Sequence, residues 1–248
     1  MRKSLLLALM TAIISVTPAW AADTFVVASD ATWPPFEMLD DDKNVVGYGP
    51  EYAREVGKQI GLQADVRNIA WDGIFAALGS RQCDVIVSSV TITPERQQTM
   101  AFTIPYFENY QAVVVPKGAA ISSMADLKGR TVGGQIGTTG ILYTQRLNEE
   151  QNLGAIIKTY DEVGLAMEDM KNGRLDSVIC DDRVALYYAE KNPGYTDVLK
   201  MAFVTEEVEY YGFALRKQDT ELLEKLNKGI LAVKDQGIEA QLQAKWFD

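Results

Sequence analysis

The 248-residue chain contains no histidine and only two cysteines. Without histidine there is no imidazole to act as a general base, a metal ligand or a haem ligand. Two cysteines alone cannot complete a four-ligand zinc site, so no metal and no cofactor are expected. Cys83 lies in the apolar run Cys83-Asp84-Val85-Ile86-Val87 and suits a buried small hydrophobe. Positive charge is scarce as well: 24 Lys and Arg stand against 34 Asp and Glu, a net charge of −10. That balance argues against nucleic acid as a partner and against docking on an anionic lipid surface.

Bilayer-spanning runs, which need roughly 20 apolar residues, are also missing. The longest apolar stretch, Leu5 to Val16, falls short of that length. It follows Arg2 and Lys3 and precedes Pro18 and Ala19-Trp20-Ala21, a small-x-small pattern. These features predict a signal peptide over residues 1–21, cleaved between Ala21 and Ala22. Export to an oxidising compartment would permit a disulfide. Leaving out Arg2 and Lys3 deepens the net charge from −10 to −12. The remaining chain suits one large domain or two lobes near 100 residues each.

What is present is an alternation of strand and helix. Thr24 to Ser29 reads as a strand. Gly49-Pro50 opens a helix with Tyr52, Val56 and Ile60 on one face, and Gly61 ends it. Gln63 to Ile69 reads as a strand, Asp72 as the cap of a short helix, and Asp84 to Val87 as another strand. Thr93-Pro94-Glu95 starts a helix, with Thr93 as N-cap and Pro94 in the first turn. The grammar then repeats: strands at 112–115 and 131–133, a helix over 138–147, a strand at 155–160, a helix marked by Val163, Ala166, Met167 and Met170, and a strand at 176–180. Two apolar stripes, from Leu222 to Val233 and from Ile238 to Trp246, close the chain. Cys83-Asp84-Val85-Ile86-Val87-Ser88-Ser89 echoes Leu175-Asp176-Ser177-Val178-Ile179-Cys180-Asp181. Two α/β units would thereby each present polar groups at a strand's carboxyl end, where open α/β sheets bind ligands.

The most informative segment is Ser88-Ser89-Val90-Thr91-Ile92-Thr93-Pro94-Glu95-Arg96, followed by Phe102-Thr103-Ile104-Pro105-Tyr106. It resembles the signature of the polar amino-acid-binding proteins, family 3 of the bacterial extracellular solute-binding proteins. The resemblance extends over the chain after the leader, through Asp30-Ala31-Thr32-Trp33-Pro34-Pro35-Phe36-Glu37, the stretch from Gly133 to Gly140, and Lys245-Trp246-Phe247. It implies an α/β, two-lobed periplasmic binding protein fold of type II. Each lobe is expected to be a sheet flanked by helices, joined by a two-strand hinge near Glu108 to Gln111 and Glu209 to Gly212. Lobe 1 is expected at 22–109 plus 212–248 and lobe 2 at 110–211.

A zwitterionic ligand needs a cation, an anion and a place for its side chain. Arg96 has the fork geometry to grip an α-carboxylate, and alone it reads equally well as a solvated helix residue. The resemblance implies the carboxylate role, with Thr91 adding a hydroxyl. Gln135-Ile136-Gly137-Thr138-Thr139-Gly140, between a strand and a helix, favours an anion through its backbone amides. By resemblance Thr138 and Thr139 contact the carboxylate there. The resemblance further implies Asp181 and the Ser89 carbonyl, beside Ser88, as partners of the α-ammonium. It puts the ligand side chain between Trp33 and Trp71, with Asp30 on its distal polar group. Many relatives carry Phe or Tyr at the two tryptophan positions, and Gln135 and Cys180 stand at positions that vary with specificity. The two cysteines belong to different lobes, where a bridge would oppose hinge motion, so both are expected to be free.

The function implied is capture of a free polar, basic-type amino acid (arginine, lysine, histidine or glutamine) by lobe closure, and delivery to an inner-membrane ABC permease. A monomer in the periplasm is expected. The enzyme alternative is a cyclohexadienyl dehydratase-like protein. It requires an acidic general acid three residues after Asp181, where this chain has Val184. A receptor-type sensor is less favoured, because no signalling segment follows Asp248 in this sequence.

Overall fold

The computed structural model describes residues 23–248; the leader expected at 1–21 and its cleavage site lie outside them. In chain order the elements are β1 (Thr24–Ser29), β2 (Thr32–Trp33), β3 (Glu37–Leu39), β4 (Val45–Val46), α1 (Tyr48–Gln59), β5 (Gln63–Asn68), α2 (Trp71–Gly79), β6 (Val85–Ile86), α3 (Pro94–Thr99) and β7 (Met100–Phe102). There follow β8 (Phe107–Pro116), β9 (Thr131–Gln135), α4 (Thr139–Glu150), β10 (Ile156–Tyr160), α5 (Val163–Lys171), β11 (Ser177–Asp181), α6 (Asp182–Leu186), β12 (Leu199–Tyr211), β13 (Ala214–Arg216), α7 (Thr220–Asp235) and α8 (Ile238–Phe247).

Two five-stranded sheets carry the molecule, in the orders β5-β1-β6-β13-β7 and β10-β9-β11-β8-β12. They repeat one plan. In the first, β6 runs parallel to β1 and antiparallel to β13. In the second, β11 runs parallel to β9 and antiparallel to β8. The echoed aspartates explain why the two sequence segments look alike. Asp84 Oδ2 accepts from Val26 N at 2.8 Å, and Asp84 N donates to Val26 O at 2.8 Å. Asp176 does the same on Thr131, at 2.7 and 2.9 Å. Each Asp therefore fastens the start of its strand to the neighbouring strand, and each strand then delivers polar residues at its far end.

Helices cover the sheets through stripes the sequence displays. Tyr52, Ala53 and Val56 of α1 and Leu226, Ile230 and Val233 of α7 are fully buried in one cluster, with Leu242 of α8 at its edge. Thr93 caps α3 by accepting from Arg96 N, with Pro94 in the first turn, as its sequence predicts. Asp72 does not cap α2: the helix already includes Trp71, and the N-cap is Ala70. Burial of Trp71 with Ile74 and Leu78 moves the start of the helix ahead of the local capping signal.

The chain crosses to the second sheet along β8 and returns along β12. These strands pair antiparallel from Phe107 with Tyr211 through Glu209 with Asn109 to Pro116 with Leu199. At the crossing, Gly212 N donates to Val90 O and Tyr106 N to Tyr211 O. Beneath it lies an aromatic cluster in which the Phe36 ring stands 5.0, 5.3 and 5.1 Å from Phe107, Tyr211 and Phe247. Cys83 and Cys180 are both buried and free. Among the described residues no helix is long and apolar enough to cross a membrane, and no group of His, Cys, Asp and Glu is placed to hold a metal.

Candidate functional site

Between the two sheets is a tight cavity, with about 20 Å3 open to the centre of a water-sized sphere. Its lining is Asp30, Trp33, Trp71, Ser88, Ser89, Thr91, Arg96, Gln135, Thr138, Thr139 and Asp181, so the structure brings together all eleven residues singled out from the sequence. Five of them come from the carboxyl ends of strands: Asp30 after β1, Ser88 and Ser89 after β6, Gln135 at the end of β9, Asp181 at the end of β11.

Arg96 is the one guanidinium in the lining. Its Nη1 donates to Thr91 O at 2.9 Å and its Nη2 to Gly137 O, in the opposite sheet's unit, at 3.2 Å. It stacks over Trp71, 5.5 Å from the ring centroid, and over Phe75 at 5.8 Å. Trp71 thus faces the arginine as well as the cavity. Burial lowers the pKa of Arg96, and the charges of Glu209 and Asp181 oppose that shift.

Asp181 is 5 % exposed and accepts four donors: Asn109 Nδ2 at 2.8 Å and Gln111 Nε2 at 2.7 Å on one oxygen, Trp33 Nε1 at 2.7 Å and the Tyr211 hydroxyl on the other. Four bonds fill a carboxylate's lone-pair sites. Desolvation nevertheless raises its pKa to about 7, helped by the Glu209 charge and opposed by the Tyr211, Asn109 and Trp33 bonds. Asp30, 4 % exposed, accepts from Thr32 Oγ1 at 3.0 Å and from Gln135 Nε2 at 3.0 Å. Ser88 Oγ accepts from Asp30 N at 2.8 Å and sets that loop. Burial raises the Asp30 pKa, and Gln135 and Thr32 oppose it.

At α4, Thr138 takes the N-cap position but spends its hydroxyl on Gln135 O at 2.8 Å. No side chain caps the first turn of this 12-residue helix, whose N-cap Thr138 and first residue Thr139 line the cavity. Gly140 admits a crossing strand: a Cβ there would stand 2.4 Å from Gln111 Oε1.

Five residues close to the lining were given no ligand-binding role in the sequence: Glu37 and, within the expected hinge strands, Asn109, Gln111, Glu209 and Tyr211. Glu209 Oε2 accepts from Thr91 Oγ1 at 2.9 Å, Thr139 Oγ1 at 2.9 Å and Gln111 Nε2 at 3.1 Å. Each threonine hydroxyl has one proton. With both committed to Glu209, the 3.4 Å approach of the two hydroxyls is a contact, and both retain lone pairs. The available signal was period two: Asn109 and Gln111 alternate on one crossing strand, Glu209 and Tyr211 on the other.

Two sheets on one topological plan, with polar strand ends converging on an interposed cavity, define a two-lobed binding protein. The profile of the bacterial extracellular solute-binding proteins, family 3, matches residues 25–248, and the chain belongs to that family. A probable histidine-binding protein of Neisseria gonorrhoeae is 37 % identical over 224 residues, 89 % of this chain and 82 % of the relative. ABC transporter arginine-binding protein 1 of Escherichia coli is 34 % identical, over 92 % of this chain and 93 % of its own. Among solved structures, an ancestral arginine-binding protein bound to arginine superposes with TM-score 0.85 at 37 % identity, covering 91 % of this chain and 98 % of that one. An ancestral amino acid-binding protein described as a precursor of cyclohexadienyl dehydratase gives TM-score 0.81 at 32 % identity, over 91 % and 96 %. The chain is thus an α/β, two-lobed relative of amino-acid-binding proteins of ABC transporters.

Proposed function

We propose that this protein captures a free amino acid with a cationic or amide side chain, L-arginine first, and hands it to an inner-membrane ABC permease from the periplasm. The observation that carries this reading is the charge layout: one guanidinium, Arg96, faces a cavity around which Asp30, Asp181 and Glu209 gather. Arg96 and the first-turn amides at Thr138 and Thr139 take the α-carboxylate, and Thr91 adds its hydroxyl. Asp181, with its four protein donors in place, attracts the α-ammonium by charge, and the Ser89 carbonyl accepts from it. Asp30 and Gln135, between the indoles of Trp33 and Trp71, take the side chain.

Closure follows from the same layout. Lobe 1 is assigned to 22–109 plus 212–248 and lobe 2 to 110–211, with β8 and β12 as the hinge. A ligand held by Arg96 on one side and Asp181 on the other binds the closed arrangement more tightly, and only such a difference shifts the population. A monomer suffices, because both halves of the site come from one chain.

The dehydratase alternative has a structural neighbour described as a precursor of such an enzyme, which is itself an amino acid-binding protein. Against it, Val184 is buried and apolar where that chemistry needs a proton donor. A thermal-shift screen of the free amino acids tests the proposal: a ligand at about 100 times its Kd adds about 2.7 kcal/mol of stability. A panel in which no amino acid raises the melting temperature refutes it.

A further inference from the structure

We propose that Glu37 is a positioning residue for amine recognition: it holds the Ser89 peptide so that the Ser89 carbonyl oxygen is presented to the ligand's α-ammonium. The inference rests on the amino-acid reading above and adds a residue that does not line the cavity.

Glu37 lies on β3 and is fully buried. Among the described residues no Lys or Arg pairs with it. Its hydrogen-bonding partner is Ser89, whose Oγ donates to Oε1 at 3.1 Å and Oε2 at 3.0 Å. Burial pushes its carboxyl well above the ordinary range, with the nearby Asp30 and Asp181 charges adding to the rise and the Ser89 hydroxyl and amide opposing it. Burial thus disfavours the charged form, and Glu37 acts as a hydrogen-bonding wedge.

The wedge has a reason in the backbone. Ser89 has φ 49°, a left-handed conformation that is uncommon for side-chain-bearing residues and costs free energy to hold. The flanking residues are anchored separately: Ser88 Oγ on Asp30 N, Val90 O on Gly212 N, Thr91 bridged to Tyr211. Between them the Ser89 carbonyl takes no protein donor among the described residues, while Ser89 itself lines the cavity. The acid reaches this spot because residue 49 is glycine: a Cβ there would stand 2.5 Å from Glu37 Oε1. An internal acid, a strained serine and a glycine that makes room for the acid thus point at one unused acceptor.

The test is calorimetry with L-arginine and with 5-guanidinopentanoate, which lacks only the α-ammonium, on wild type, Glu37→Gln and Glu37→Leu. Glu37→Leu is expected to weaken L-arginine by at least about tenfold, the size of one charge-assisted hydrogen bond. The des-amino compound should change by less than about threefold. Glu37→Gln, a neutral isostere, should keep both near wild type. Equal losses for the two compounds in the leucine variant, or no loss for either, overturn the proposal. If Glu37→Leu does not fold, Gly49→Ala, which crowds Oε1 while keeping the acid, is expected to show the same selective loss, and an unselective one overturns it. L-glutamine and glutaramate replace the pair if wild type prefers glutamine. A wild type that binds neither amino acid sinks the functional reading instead.

Discussion

The indole nitrogen of Trp33 donates to Asp181 Oδ2 at 2.7 Å and so ties the small β2-β3-β4 sheet to the end of β11 in the second five-stranded sheet. The bond ends on a carboxylate that burial holds near pKa 7. Two pH effects follow. An acid whose folded-state pKa is raised binds its proton more tightly when folded. Its contribution to stability is therefore fully present below the ordinary value of 3.8 and is lost as pH rises towards about 7. Asp181→Asn removes that dependence, so the melting temperature of the variant should gain on wild type between pH 4 and 8. Ligand binding runs the other way. An α-ammonium favours the ionised carboxylate, so amino-acid affinity should weaken as pH falls below about 7, with protons released on binding. Asp30, also raised, adds to the release when the ligand side chain is cationic. Calorimetry at pH 6 in two buffers of different ionisation enthalpy reads the proton count; equal apparent enthalpies would contradict the role of Asp181.

Arg96→Ala should abolish binding of every amino acid tested. Removing one member of a desolvated charge pair costs about 2–5 kcal/mol, and no other cation lines the cavity to replace it. The fold should survive, because the side chain's bonds go to two loop carbonyls, Thr91 O and Gly137 O. A folded variant with near-native affinity would disprove the assignment.

Glu209→Gln keeps an oxygen for Thr91, Thr139 and Gln111 but deletes a charge beside Asp181 and Arg96. The Asp181 pKa should fall, moving the loss of amino-acid affinity to lower pH. The site should also tolerate an anionic side chain better, so the ratio of L-glutamate to L-arginine affinity should rise. An unchanged ratio and pH profile would show that Glu209 only braces Thr91, Thr139 and Gln111.

Local features were readable in the sequence, and long-range ones were not. The Thr93-Pro94 start of α3 involves adjacent residues, and so do the glycine turn before α4 and the echo that became β6 and β11. Asn109, Gln111, Glu209 and Tyr211 come close to the cavity lining only through the register that sets Glu209 opposite Asn109, 100 positions away. Strands of two or three residues, such as β2 and β3, are too short to show a period, so Glu37 appeared as part of a motif without a visible purpose. The cap expected of Asp72 failed for the same reason: Trp71 is pulled into the helix by contacts from elsewhere in the chain.

In the proposed reading, specificity turns on Asp30. It is buried, it accepts from Gln135 across the cleft, and it lines the cavity with two flat indoles. A guanidinium placed there meets a carboxylate and gains roughly 0.5–2 kcal/mol from each indole face it covers. Glutamine can donate its amide hydrogens to the same oxygens but brings no charge. Glutamate brings the wrong charge into a desolvated site. Asp30→Asn removes the attraction for a cation while keeping an oxygen that accepts from an amide. It should therefore weaken L-arginine much more than L-glutamine and narrow the gap between L-arginine and L-glutamate. Calorimetry on both proteins with the three ligands decides the matter. If wild type takes glutamine tightly and arginine not at all, the cationic preference is wrong while the amino-acid site stands. If Asp30→Asn weakens arginine and glutamine alike, Asp30 shapes the loop through Thr32 and Ser88 and does not read the side chain.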